Sequence, residues 1–404
     1  MDQEIRILYA IAESYPTHRA DIIALFGKYL PRHGIKSDIV TSADPAHQGG
    51  VEWAGGDTIL GQASGGAAKL RLQHFSHIIK QLLGFDAQRY QAVQIRDMPV
   101  VAALAVIISW FRGFKVFYWM SYPMAEGQIA YAKERGVSSG LMKFLYPWIS
   151  GHVGKFLLYR FVLRQVLHIF VQSNVMKQEM MDRGYPSEKL TPVPMGVDLE
   201  VVEQYVPTVV AREQLAGKKV LVYLGILERA RKIEVLLDML VLVLQRFPDA
   251  VLVLAGDTPD VDHRNSLLAL AKSKNIDHAL LWTGWLPTEV AWSYVSQADV
   301  ALSPYPRGHL LDSASPTKVA EYMALSKVTV ANDQPDQAEI LAASGAGVAV
   351  EYTAENFARE VVKLLEDDEL RNSMGIKGKQ WVAENRSYAS LTPTLASIYV
   401  QLSR

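Results

Sequence analysis

Short, unbroken aliphatic runs, each followed by a segment with helical spacing, recur along this chain. Lys219-Val220-Leu221-Val222-Tyr223-Leu224-Gly225 and Ala250-Val251-Leu252-Val253-Leu254-Ala255-Gly256-Asp257 are the clearest of them. Runs without polar alternation suit strands covered on both faces, and helices between them suit right-handed crossovers. The expected fold class is therefore α/β, with doubly wound parallel sheets. In the first half, Ile5–Ala12, Ser37–Thr41, Ala92–Ile95 and Leu167–Ser173 read as strands. Helical spacing lies between them, for example Ile22, Ile23, Leu25, Phe26 and Leu30 up to Gly34. The rhythm pauses at Leu190–Asp198, an extended stretch stiffened by Pro192 and Pro194, and then restarts. A chain of 404 residues suits two domains, and the boundary is expected near residue 197. Residues 1–197 would form the first domain and 198–380 the second, with helices over 381–404. The stretch Gly49–Gly66 holds seven glycines. It lacks both a strand immediately before it and a closing Lys-Ser/Thr, so it reads as a loop or hairpin rather than a phosphate loop.

Net charge and cysteine content narrow the chemistry. A net charge of -1 gives no general reason to expect nucleic acid, and the absence of cysteine excludes disulfides, thiolate metal sites and a cysteine nucleophile. The acidic start, Met1-Asp2-Gln3-Glu4, does not read as a secretory signal. The longest apolar run, Pro99–Ile108, falls far short of the roughly 20 residues of a spanning helix. Charge is nevertheless uneven: from Met98 to Lys177 nine Lys and Arg face only Glu126 and Glu134. Aromatic residues are interleaved with those cations, and the mixture suits an anionic membrane surface, with residues 141–167 as a membrane-facing helix pair. Single-stranded nucleic acid would want a similar mixture. The crowd of Leu, Val and Ile argues against it.

The most informative stretch is Ser313-Ala314-Ser315-Pro316-Thr317-Lys318-Val319-Ala320-Glu321-Tyr322-Met323-Ala324. It follows the strand at Val300, and Ser315 and Pro316 read as the N-cap and first residue of a helix. Free N–H groups at Thr317 and Lys318, the helix dipole and the Lys318 charge would together receive a phosphate. Glu321, one turn on, could accept hydrogen bonds from a ribose diol. Three further loops open from strand ends in the same sheet, where ligands of such folds bind. They begin at Gly225, Gly256-Asp257 and Gly284-Trp285. Arg231 and Lys232 lie on the first, and Trp285 could flank a base. The set describes a diphosphate site.

At these residues the chain resembles the retaining nucleotide-sugar glycosyltransferases of glycosyltransferase family 4, in a Ser-Pro-Thr-Lys variant. Val171-Gln172-Ser173, Val193–Asp198, Tyr223–Lys232 and Ser315–Ala324 carry the likeness, together with the pattern from Trp381 to Tyr388 and Tyr399. The resemblance implies a GT-B fold, with two Rossmann-like domains facing a cleft and C-terminal helices returning to the first. It implies that Glu321 holds the donor ribose and that Arg231 and Lys232, with Lys318, stabilise the departing nucleoside diphosphate. Gly225, Trp285, Ser313, Ser315 and Thr317 complete the expected donor site. The first domain would bind the acceptor, for which Tyr15, Arg96, Asp97 and Glu126 are the candidates. Ser313 stands where the family often has a glutamate, Ile226 where it often has an arginine, and the Glu13–Thr17 loop lacks the common glycines.

The expected function is transfer, with retention, of a sugar from a UDP-sugar, or else a GDP-sugar, without metal or other cofactor. The acceptor would be a polyprenyl-diphosphate glycan at the cytoplasmic membrane face, in bacterial polysaccharide assembly. Two alternatives stand beside it. One is an inactive donor-binding partner subunit of a membrane glycosyltransferase complex. The other is a nucleotide-sugar epimerase or hydrolase on the same fold.

Overall fold

The computed structural model describes residues 4–44, 53–62, 64–137 and 140–403. The chain forms two compact units, Met1–Pro194 with Leu391–Arg404, and Met195–Ser390. Each contains one sheet, and every strand pairing in both sheets is parallel.

In the first unit the strands are β1 (Ile5–Ala10), β2 (Ile35–Ser42), β3 (Thr58–Gly61), β4 (Ala92–Arg96), β5 (Lys115–Met120), β6 (His168–Val171) and β7 (Leu190–Pro192). They lie in the order β3-β2-β1-β4-β5-β6-β7. The order reverses between β1 and β4, which is the topological switch point of a doubly wound sheet. One face of the sheet buries Leu8, Val40, Val93, Tyr118 and Ile169 with residues of the helices Ala67–Leu83 and Pro99–Arg112. Elsewhere in the unit a chain of rings runs from Tyr9 through Phe26, Trp119 and Phe170 to Tyr399, with centroids 4.6–5.4 Å apart. Tyr399 belongs to the last helix, Tyr388–Ser403, and its hydroxyl donates to Gln94. Lys115 Nζ donates to the Leu402 carbonyl at 3.0 Å. These contacts seat the chain's last residues in the first unit.

Two sequence expectations are corrected here. The glycine-rich stretch is not wholly loop or hairpin: Thr58–Gly61 is a parallel edge strand on β2, while residues 45–52 and 63 lie outside those described. Glycine dilution hid the four-residue strand, whose ladder to β2 supplies the partner its neighbours in sequence do not. The membrane-facing segment is also not a helix pair within 141–167. One helix, Leu141–Leu157, continues through a wide turn at Leu158–Val162, and its packing partner is the preceding helix, Met124–Arg135. Gly151 makes the close approach possible, since a Cβ there would lie 2.6 Å from Ile129 and 2.8 Å from the Ala125 carbonyl.

In the second unit the strands are β8 (Lys219–Leu224), β9 (Ala250–Ala255), β10 (Leu280–Trp282), β11 (Val300–Ser303), β12 (Thr329–Asn332) and β13 (Gly347–Val350). Their order, β10-β9-β8-β11-β12-β13, places the switch point between β8 and β11. The helix Glu234–Leu244 buries Leu236, Leu237, Leu240 and Val243, the i, i+1, i+4, i+7 face expected of a helix laid on a sheet. It packs beside the helix Ala354–Glu366. A second set of buried residues holds the helix Thr317–Ala324 through Val319, Ala320 and Met323. Behind that helix runs Asp368–Asn385.

Candidate functional site

The stretch at 313–324 forms the helix Thr317–Ala324, one residue later than the sequence suggests. Pro316 occupies the cap position with extended backbone, and no side chain caps the first turn. Ser315 is not the cap, because its hydroxyl is committed elsewhere. It donates to Asp336 Oδ2 at 2.7 Å and accepts from the Met195 N–H at 3.1 Å. Arg386 completes the knot through Asp336 Oδ1 at 2.7 Å. All three side chains are buried, so this charge-assisted network fixes where the helix begins while leaving its first N–H groups uncapped. The Ser315 hydroxyl is thus engaged within the protein, by Asp336 and the Met195 N–H.

The switch point is stitched by the same helix. The fully buried Tyr322 hydroxyl accepts from Leu224 N–H at 2.8 Å and donates to the Leu302 carbonyl at 3.1 Å, joining the ends of β8 and β11. Helical periodicity reads Tyr322 as apolar core; nothing in the spacing reveals this hydroxyl bridge.

Lys318 then reaches back across β8. A Cβ on Gly225, whose φ is +131°, would lie 2.7 Å from Lys318 Cε and 3.1 Å from Nζ. Only glycine gives both that backbone angle and that space. The ammonium lies 5.3 Å from the Tyr223 ring centroid and 6.0 Å from that of Tyr305, just beyond β11. The guanidinium carbon of Arg231 lies 4.1 Å from the Tyr305 centroid. Arg231 Nη1 is buried without a hydrogen-bond partner. Burial, joined by the Arg231 charge, lowers the Lys318 pKa to about 7, against the pull of Glu321 and Glu228. Burial raises the Glu321 carboxyl to about 6, with the Lys318 charge and the nearby Trp292 indole opposing it. Two cations held together at the carboxyl ends of β8 and β11, beside an uncapped helix N-terminus, describe an anion site.

Arg231 and Lys232 do not act as one pair. Lys232 adopts left-handed backbone at φ +47°, and its side chain is exposed. It borders a groove of about 700 Å³ lined by Glu234, Asp238, Lys274, Tyr352 and Glu355. Of the other donor-side candidates, Thr317 opens the helix, Ser313 is fully buried, and Trp285 is exposed after the turn at Gly284. The spacing Asp260-Val261-Asp262 has the form Asp-x-Asp, yet Asp260 caps the helix Val261–Ser273 through the His263 N–H and pairs with Arg229 at 2.8 Å. Among the described residues no group of three His, Asp or Glu side chains could hold a metal ion.

In the first unit, Arg96 and Asp97 are engaged by neighbouring side chains. Arg96 is fully buried and forks onto Asp21, at 2.6 and 3.4 Å, beside the Tyr9 hydroxyl. Asp97, at φ +53°, accepts from both the N–H and the hydroxyl of Ser121. Burial raises its pKa. Tyr15 is buried edge-on against Trp53 at 6.2 Å. Glu126 is different: it is 8% exposed, with the Tyr159 hydroxyl beside it and Lys155 Nζ 3.7 Å away. Sequence reasoning missed Glu13, which follows β1 at the switch point. One of its oxygens meets Arg19 at 3.0 Å and Arg96 at 3.8 Å, while the buried Oε2 has no partner. It also missed Tyr305 and Tyr223, for which the Ser303-Pro304-Tyr305-Pro306 loop was the available signal.

Residues 210–381 match the family model Glycosyl transferases group 1. No curated protein sequence matches the chain. Among solved structures the chain is similar to HepE from Anabaena in complex with UDP, at 14% identity, covering 98% of this chain and 99% of that one with a TM-score of 0.71. It is similar to sucrose-phosphate synthase from Thermosynechococcus elongatus, at 18% identity, 98% and 99% coverage and a TM-score of 0.71. It is also similar to WaaG, a glycosyltransferase involved in lipopolysaccharide biosynthesis, at 13% identity, 97% and 99% coverage and a TM-score of 0.67. At these identities the likeness establishes the fold: two Rossmann-like α/β domains, as in GT-B glycosyltransferases.

Proposed function

We propose that this protein is a retaining glycosyltransferase that takes a sugar from a nucleotide-diphosphate sugar, a UDP-sugar first and a GDP-sugar second. The observation that carries this reading is that Lys318, which lies over Gly225 near the N-terminus of the helix Thr317–Ala324, and Arg231 both reach the Tyr305 ring. Glycosyl transfer needs negative charge stabilised on a departing diphosphate, and fixed cations in a poorly hydrated site supply that stabilisation. Arg231 Nη1 offers a donor that the protein itself does not use. Glu321 stands one turn beyond Lys318, placed to accept from ribose hydroxyls. The charge is provided by side chains and backbone, so the reading requires no metal. The family match over 210–381 and the UDP bound to HepE support the nucleotide-sugar assignment.

The acceptor in this proposal is lipid-linked, as in polysaccharide assembly at the cytoplasmic membrane face. No described helix is long and apolar enough to cross a membrane. The helix Leu141–Leu157 turns Gly151 and Gly154 inward and exposes Leu141, Met142, Ile149, Val153 and Phe156 beside Lys143. That combination supports attachment to an anionic interface. Glu13, whose Oε2 has no partner, and Glu126 are candidates beside Arg96 and Asp97 to orient an acceptor hydroxyl.

The test is turnover of UDP- and GDP-sugars by purified protein with a bacterial lipid extract. Release of diphosphate with labelling of an extractable lipid supports the proposal. Binding without turnover would favour a partner subunit, and products without any acceptor would favour an epimerase or hydrolase. Flotation with anionic and with neutral liposomes tests the membrane face, and equal absence from both would remove it.

A further inference from the structure

Arg231 and Lys318 are like charges sharing a small, largely dehydrated space, and their mutual repulsion must be offset before any ligand arrives. Tyr305 stands between them. Tyr305 is 7% exposed; its ring carries the Arg231 guanidinium at 4.1 Å, its hydroxyl also accepts a hydrogen bond from Arg231, and the ring lies 6.0 Å from the Lys318 ammonium. The negative face of an aromatic ring attracts cations, and does so more strongly where water is excluded. The ring is itself anchored. Asn332, fully buried at the end of β12, accepts from the Tyr305 N–H and donates to the Tyr305 carbonyl at 2.8 Å. Both main-chain groups of Tyr305 are thereby tied to the sheet by one side-chain amide, and burial of the residue leaves its ring little room to follow Arg231. Arg231 must come to it.

We propose that Tyr305 is the positioning residue of the diphosphate site, holding Arg231 beside Lys318 with its buried Nη1 unpaired within the protein. The inference rests on the diphosphate reading above. It assigns specificity to the β11 loop: a diphosphate carries charge on two phosphate groups and can engage both cations at once, whereas a carboxylate brings a single charge to share between them.

The test is a double-mutant cycle read by calorimetric titration of the full chain with inorganic pyrophosphate, a probe independent of the base. Tyr305→Leu is expected to weaken pyrophosphate binding about tenfold, and Tyr305→Phe, which keeps the ring, by less than about threefold. On an Arg231→Met background Tyr305→Leu is expected to change affinity by less than about twofold, because its effect runs through Arg231. Unfolding midpoints of the ligand-free variants report folding, and Tyr305→Met replaces Tyr305→Leu if the latter does not fold. An equal loss on both backgrounds would overturn the assignment, and Phe and Leu losses compared on the wild-type background divide the effect between the hydroxyl and the ring. Wild type that binds neither pyrophosphate nor any nucleoside diphosphate would overturn the diphosphate reading itself, and Tyr305's role with it.

Discussion

The charge on Lys318 should make nucleotide affinity depend on pH in a way that a simple surface lysine would not. With its pKa lowered to about 7 by burial and by Arg231, only about a tenth of Lys318 is charged at pH 8 in the free protein. A diphosphate beside it stabilises the ammonium and raises that pKa, so binding above pH 7 takes up a proton. Affinity should then fall by up to about tenfold per pH unit from pH 7 upward, until the pKa of the bound state is reached. A charge-assisted hydrogen bond contributes about 1.5–3 kcal/mol, so Lys318→Met should weaken UDP binding by roughly 10- to 100-fold at pH 6.5. The same substitution should cost progressively less toward pH 9, where wild type has also lost the charge. On the acid side Glu321 becomes protonated below about pH 6 and stops accepting ribose hydroxyls. The nucleotide's own phosphate titrates there too, but identically for both proteins, so the ratio of their dissociation constants isolates Lys318. Isothermal titration in two buffers of different ionisation enthalpy measures both affinity and proton uptake. A ratio constant from pH 6.5 to 9, with no proton uptake, would refute the placement of a depressed lysine against the diphosphate.

Three further outcomes follow from the same structure. Without ligand, Lys318→Met should stabilise the fold at pH 7 by about 1–2 kcal/mol or more, because it removes a cation that the folded state holds against burial and the Arg231 charge. The sign is fixed by the lowered lysine pKa: the folded state resists the charge that the unfolded chain holds up to about pH 10, so wild-type stability should rise from pH 7 to 10 and the variant's should not. Arg96→Met leaves Asp21 buried without its cation and should cost about 3–5 kcal/mol in urea unfolding, with nucleotide affinity within twofold of wild type; a selective loss of turnover in a stable variant would support Arg96 as an acceptor residue. Gly225→Ala combines a disfavoured φ with a Cβ 2.7 Å from Lys318, and should reduce UDP affinity at least about tenfold for a stability cost of about 1–2 kcal/mol; unchanged affinity would show that Lys318 does not lie over this glycine.

Strand runs such as Ala250–Ala255 were legible because strands buried on both faces need continuous aliphatic sequence. Strands β3 and β7 escaped notice for the converse reason. Thr58–Gly61 and Leu190–Pro192 are edge strands of four and three residues, held by a partner on one side only and tolerant of glycine and proline. The anion site was legible in part, since Gly225, Arg231, Lys318 and Glu321 are chemistry-bearing types at the ends of recognisable elements. What spacing could not reveal was direction. Adjacent Arg231 and Lys232 look alike in sequence, yet the left-handed turn at Lys232 sends one inward onto Tyr305 and the other to solvent. Likewise a serine before Pro-Thr reads as a cap, and only the distant Asp336 and Arg386 show that its hydroxyl is spoken for. Arg96 and Asp97 illustrate the same limit, because spacing at a strand end does not show that Asp21 and Ser121 are their partners.

The most direct test of the diphosphate site compares UDP with uridine in wild type and in Lys318→Met at pH 6.5. The account predicts that wild type binds UDP far more tightly than uridine, and that Lys318→Met removes most of that difference while leaving uridine unchanged. UDP and uridine bound alike by wild type, or a preference for UDP that survives Lys318→Met intact, would contradict it.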